Sequence, residues 1–148
     1  MRMFIDCEFN GHGGELISMA LVADDDDSFY EVLTCKEPIV PWVAENVMPV
    51  LRKKPIYKKI FQRKLGEFLL RYDDVHIVAD WPVDITYFCN ALLLKPDKCM
   101  ATPKLSFEIW RGDTTEVIPV VPHNALSDAL AIAEGYDRYL NNNRKETL

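Results

Sequence analysis

The chain has 148 residues, 49% of them hydrophobic and 27% charged, and a formal net charge of −6. That is ordinary composition for one globular domain with a substantial core, and it excludes intrinsic disorder. The negative sum gives no whole-chain electrostatic case for nucleic acid. It hides an asymmetry, because Arg52, Lys53, Lys54, Lys58, Lys59, Arg63 and Lys64 fall in a stretch that contains no acid.

The elements follow in chain order. Met3–Phe9 (MFIDCEF) is an apolar strand pattern interrupted by two carboxylates, Asp6 and Glu8. Residues i and i+2 of a strand share a face, so these acids sit side by side, about 7 Å apart along the strand. Like charges that close on an apolar strand repel each other and lose hydration, and a divalent cation is the simplest compensation. A plain polar edge is the alternative. Asn10–Gly14 is a turn, Glu15–Ala23 a mostly buried second strand and Phe29–Cys35 a third, with Asp24–Asp27 as a solvated hairpin tip. Pro38 and Pro41 precede a short helix over Val43–Leu51, and Pro55 separates it from a longer helix over Ile56–Tyr72. A short strand over Val75–Ala79 ends at Asp80. After Trp81-Pro82, a helix runs from Asp84 to Leu94. Leu105–Trp110 is a fifth strand, Pro119–Pro122 is extended, Asn124–Leu140 is the final helix, and 141–148 is a frayed polar tail. A meander of strands followed by alternating helices and strands predicts one α/β layered domain over 1–148 with a mixed sheet.

Cys7, Cys35, Cys89 and Cys99 are scattered, without the spacing of a zinc knuckle or a disulfide framework. The N-terminus carries acids at 6 and 8, unlike a signal peptide, and no apolar run has the 18 or so residues of a membrane span. The expectation is a reduced, soluble protein of the cytoplasm that does not contact a membrane.

Two further patterns bear on chemistry. In the run Ala79-Asp80-Trp81-Pro82-Val83-Asp84 a strand delivers the chain to the sheet end and an acid opens the next helix, where open α/β sheets build their sites. In His123-Asn124-Ala125-Leu126-Ser127-Asp128 an imidazole precedes the last helix and a carboxylate lies in its first turns. Taken singly, Asp84 and Asp128 are first-turn acids favoured by the helix dipole, Asp80 is a turn former, and His123 is a surface or capping histidine.

Together, in this order, Asp6-Cys7-Glu8, Asp84 and His123 with Asp128 resemble the DEDDh 3′-5′ exonucleases, the group of polymerase proofreading subunits, ribonuclease T and oligoribonuclease. The resemblance spans residues 4 to about 135 and is nearest to the small stand-alone exoribonucleases. It implies a ribonuclease-H-like three-layer fold with a mixed five-stranded sheet flanked by helices. It further implies that Asp6, Glu8, Asp84 and Asp128 hold two Mg²⁺ or Mn²⁺ ions about 3.5–4 Å apart, and that hard oxygen ligands suit them. His123 then acts as general base, and nucleoside 5′-monophosphates leave one at a time from a 3′ end.

The family usually carries Asn four residues before the helix-opening Asp, where this chain has Asp80. The expectation is therefore a supporting role for Asp80 near substrate, with Asp84 as the ligand. Phe9, Asn10 and Trp81 are weaker candidates for substrate contact, and His12 is a fallback base. Single-stranded nucleic acid, RNA favoured over DNA, is the expected partner, and a homodimer is common in the group. The basic stretch over 52–64 reads as a solvated helix face before a phosphate track. The rival readings are a catalytically silent nucleic-acid-binding module of the same fold, an exodeoxyribonuclease, and an interaction domain whose acids are simply solvated.

Overall fold

The computed structural model describes residues 1–112 and 117–145, the side chains of 144 and 145 apart. Strands β1 (Arg2–Phe9), β2 (Leu16–Ala23) and β3 (Ser28–Val32) form the antiparallel meander. Helix α1 (Pro41–Asn46) with a 3₁₀ turn (Met48–Val50) and helix α2 (Lys58–Leu69) lead to β4 (Asp74–Ala79). Helix α3 (Pro82–Leu92), a hairpin of β5 (Leu93–Lys95) and β6 (Lys98–Cys99), strand β7 (Lys104–Ile109) and helix α4 (Ala125–Lys145) complete the chain. The main sheet has the order β3-β2-β1-β4-β7, with β4 parallel to β1 and β7 parallel to β4. This is the mixed five-stranded α/β sheet of a ribonuclease-H-like three-layer fold.

Alternation along β1 divides the core. Met3, Ile5 and Cys7 point to one face, where Phe61, Leu65, Phe68 and Leu69 of α2 and Phe88, Ala91 and Leu92 of α3 cover them. The apolar positions of α2 recur at i, i+4, i+7 and i+8, one face of a helix. Phe4 points the other way, into Trp110 and into Ile132 and Tyr136 of α4. Asp6 and Glu8 follow Phe4 at the strand period, so they too lie on the α4 side. Asp6 pairs across the sheet with Ala20, and Ala20 packs with Val22 under Ala125 and Ala129. Small residues on both surfaces let α4 approach closely over the acidic end of β1.

Several boundaries differ from the sequence expectation for identifiable reasons. The first helix begins at Pro41, with proline at its first position. It yields to the 3₁₀ turn at Met48, which contains Pro49. Ile56 is not helical but exchanges backbone hydrogen bonds with the end of the meander at Val32 and Thr34, so α2 starts at Lys58. Leu93 and Leu94 leave the helix for the β5–β6 hairpin, which local pattern did not reveal. The 119–122 segment is not uniformly extended: the chain bends at Val120 and turns through His123. Helix α4 continues to Lys145, so residues 141–145 are helical, and 146–148 lie outside the described residues. Among the described residues no helix is long and apolar enough to cross a membrane.

Candidate metal centre

Acids from four elements meet at the edge of the sheet where β1 and β4 end. β1 contributes Asp6 and Glu8. Asp80 follows the last residue of β4. Pro82 at the start of α3 brings Asp84, 3% exposed, into the first turn of that helix. Asn124 fixes the start of α4: its Oδ1 accepts the backbone N–H of Ser127, while its Nδ2 donates to the Val50 carbonyl at 2.8 Å. That N-cap sets Asp128 in the first turn. Two groups of three result, Asp6-Asp80-Asp84 and Asp6-Glu8-Asp128, and within each one oxygen per residue lies within 4.8 Å of the others. Ligand oxygens about 2.1 Å from a magnesium ion lie up to about 4.2 Å from one another. Each group therefore lies near ion-binding spacing, and a bound ion would draw its oxygens closer together. Asp6 belongs to both.

The electrostatics fit a cation. Burial, then the charges of Asp84 and Glu8, push the Asp6 carboxyl well above its ordinary range. Burial and the neighbouring Asp128 and Asp84 raise Glu8 to about 7. Burial and Asp80 raise Asp84 to about 7, against backbone N–H groups, that of Cys7 among them, which favour its charged form. Asp128 rises to about 6, chiefly through burial, while the backbone N–H of His123 opposes the shift. One oxygen of Asp6, Oδ2, is buried with no hydrogen-bond partner. A converging set of hard oxygens with an orphaned buried lone pair is a donor set for Mg²⁺ or Mn²⁺, and it holds no nitrogen or sulfur that favours zinc. Over the acids lies a cleft of about 230 Å³ whose walls include Asp6, Asp80, Asp128, Val117 and Pro119.

The remaining sequence candidates divide. His123 is exposed on left-handed backbone (φ 63°), a region histidine visits more readily than most residues. Its ring meets the Trp42 indole edge-on at 5.0 Å. Trp42, 53% exposed at the start of α1, was not singled out by sequence reading. Only its place two residues after Ile-Val before a helix-opening proline hints at an exposed helix start. Asp80 sits within the first group of acids, closer to the centre than its predicted supporting position. Burial by desolvation raises its carboxyl, and Arg111 counters this.

Phe9 stacks on Tyr87 at 4.9 Å and stands beside the acids rather than among them. Asn10 has a structural task. Its amide donates to the Pro38 carbonyl at 3.0 Å and its Oδ1 accepts the Val40 N–H at 2.9 Å, so both ends are used in holding the loop that leads to Trp42. Trp81 is 51% exposed, with the Arg111 guanidinium 5.0 Å above its ring. His12 is exposed in the turn between β1 and β2.

Neither a known protein family nor a curated protein matches this chain.

Proposed function

We propose that the protein is a metal-dependent 3′-5′ exonuclease of single-stranded RNA that releases nucleoside 5′-monophosphates. One observation carries this reading: five carboxylates from β1, β4, α3 and α4 converge into two three-acid groups that share Asp6. The order of the motifs along the chain supports it as well. Asp6, Asp80 and Asp84 would hold one Mg²⁺ or Mn²⁺ ion, and Asp6, Glu8 and Asp128 the other. Such a pair supplies an activated water and stabilises charge on the attacking and leaving oxygens of an in-line displacement.

The protein's own groups do the rest. His123, exposed and five residues before Asp128, accepts the proton of the attacking water. Trp42 offers an aromatic face beside that imidazole for the terminal base. Trp81, exposed beside Asp80 and backed by Arg111, offers a second aromatic surface. The Phe9–Tyr87 stack keeps β1 and α3 in register so that Asp6, Glu8 and Asp84 stay convergent. A nucleic-acid substrate and four free thiols favour the cytoplasm as its compartment.

Incubation with 5′-labelled RNA and DNA oligomers in Mg²⁺, Mn²⁺ or EDTA tests the reading. Shortening by one nucleotide at a time from the 3′ end, abolished by EDTA and faster on RNA, is the expected result. Intact oligomers under every metal condition would overturn it.

A further inference from the structure

The basic stretch over 52–64 is not one solvated face. Lys53 and Lys64 both reach the buried Glu31, at 3.1 and 2.6 Å from the same oxygen, and share its one negative charge. Lys58 and Lys59 do not. They line a cavity of about 490 Å³ together with Lys36, Tyr57, Tyr87 and Glu15. Among the described residues no carboxylate pairs with the ammonium groups of Lys36, Lys58 or Lys59. Glu15, the acid in the wall, is turned to the backbone: its Oε1 accepts the N–H groups of Lys36 and Glu37 at 3.0 and 2.8 Å. Three cations in one concave surface repel each other, an arrangement that a polyanion relieves.

The surroundings point to a nucleotide chain. Tyr57, 70% exposed, presents an aromatic ring at the mouth beside the lysines. The first turn of α2 carries no acid and no side-chain cap, so its N–H groups and dipole add to the positive field. The cavity opens at the edge of the sheet where β1 ends and β2 begins, the edge that holds the acids. Its wall residue Tyr87 stacks on Phe9, the neighbour of Glu8, on the α2–α3 side of the sheet, the face opposite to that of Asp6 and Glu8, so a strand reaches the acids around the sheet end.

We propose that this cavity is a second nucleic-acid subsite. In it Lys36, Lys58 and Lys59 bind backbone phosphates of single-stranded RNA on the 5′ side of the scissile bond, and Tyr57 stacks on a base. The placement of the strand rests on the exonuclease reading above; the phosphate-binding character of the cavity does not. The subsite gives longer oligonucleotides an affinity that short ones cannot reach.

Fluorescence anisotropy of labelled RNA dimers and hexamers in EDTA, over a range of salt, tests this apart from turnover. The wild type binds the hexamer more tightly than the dimer, with a steep salt dependence. Lys58→Glu/Lys59→Glu should lose roughly tenfold or more of hexamer affinity and lower the salt slope by about 1.4, two phosphates at ~0.7 each for a single strand. Tyr57→Ala should weaken the hexamer alone. An unchanged length advantage and salt slope in the lysine variant, with its melting temperature intact, overturns the subsite. Displacement of the hexamer by equimolar inorganic phosphate also overturns it and reassigns the cavity to a free anion. Hydrolysis of a p-nitrophenyl nucleoside 5′-phosphate by the wild type in Mn²⁺ reports separately on the metal centre, so absent hydrolysis with length-dependent binding retained sinks the exonuclease reading and leaves the phosphate-binding cavity standing.

Discussion

The two ends of the main sheet treat acidic residues in opposite ways. Around the starts of β1, β4 and β7, several acids face basic groups. Arg2 pairs with Asp24 at 3.3 Å, Arg71 with Asp27 at 2.7 Å and Lys104 with Asp74 at 3.2 Å, and further along β4 and β7 His76 lies 3.0 Å from Glu108. Where β1 and β4 end, Asp6, Glu8, Asp80, Asp84 and Asp128 gather with no ion pair among the described residues. The first end is ordinary surface electrostatics, worth little per pair. The second is a concentration of like charge at partly buried positions, which raises the free energy of the folded state until protons or cations arrive. A converging set of partly buried, unpaired carboxylates marks the place where chemistry is expected.

The sharpest way to break this comparison is to neutralise the acid that both groups share. Asp6→Asn should reduce RNA cleavage to background and abolish the rise in melting temperature on adding Mn²⁺. For the wild type that rise corresponds to about 2.7 kcal/mol at metal a hundredfold above Kd. In EDTA at pH 8 the same variant should melt above the wild type, because a buried, repelled charge has gone. Calorimetry with and without metal measures both, and full metal-stimulated cleavage by the variant would sink the assignment. Asp84→Asn should be nearly as severe. Asp80→Asn separates the two positions. If the less buried Asp80 supports rather than anchors the ion, its variant keeps most of its activity at saturating Mn²⁺, and the reverse ranking transfers the anchoring role to Asp80.

His123 sharpens the comparison from the side of the reaction. It stands outside both groups of acids, so His123→Ala should lose about 10²–10⁴-fold in turnover, the usual contribution of a general base. Stabilisation by Mn²⁺ should survive. Loss of that stabilisation would make His123 a ligand.

Acidity titrates the difference between the two ends. The folded-state values of Glu8 and Asp84, about 7, and of Asp128, about 6, lie above those of unfolded carboxyls, and Asp6 is shifted in the same direction. The folded protein therefore binds more protons than the unfolded chain between about pH 4 and pH 7. Stability falls as pH rises through that window. In EDTA the melting temperature should drop from pH 5 to pH 8. In saturating Mn²⁺ the drop should vanish or reverse, since the ion competes with protons. A metal-free profile that is flat from pH 5 to pH 8 would mean the acids are solvated.

The smallest effect belongs to the compensated end. Lys104→Ala, which breaks an exposed pair with Asp74, should change stability by no more than about 0.5 kcal/mol in urea unfolding, with no change in metal response. An effect as large as that of Asp6→Asn would erase the distinction.

The sequence by itself determined the parts whose signal is local. The alternation of Met3–Phe9 put Asp6 and Glu8 on one face, because strand side chains alternate whatever the strand packs against. Asp84 after the Trp81-Pro82 turn marked α3, although the helix itself starts two residues earlier at Pro82, and the apolar period over 56–72 marked α2. What only the tertiary structure decided depends on residues far apart in the chain. Asp80 joins Asp6 because β4 lies parallel to β1, and Trp42 meets His123 because Asn10 holds Pro38 and Val40 while Asn124 holds Val50. Lys53 and Lys64 share the charge of Glu31, whereas Lys58 and Lys59, in the first turn of α2, pair with no carboxylate among the described residues. The β5–β6 hairpin, three residues paired with two, is too short for any period to announce. Local pattern fixes which way a side chain points on its own element. Which charges then meet, and which stay unpaired, is set by the packing of elements onto one another.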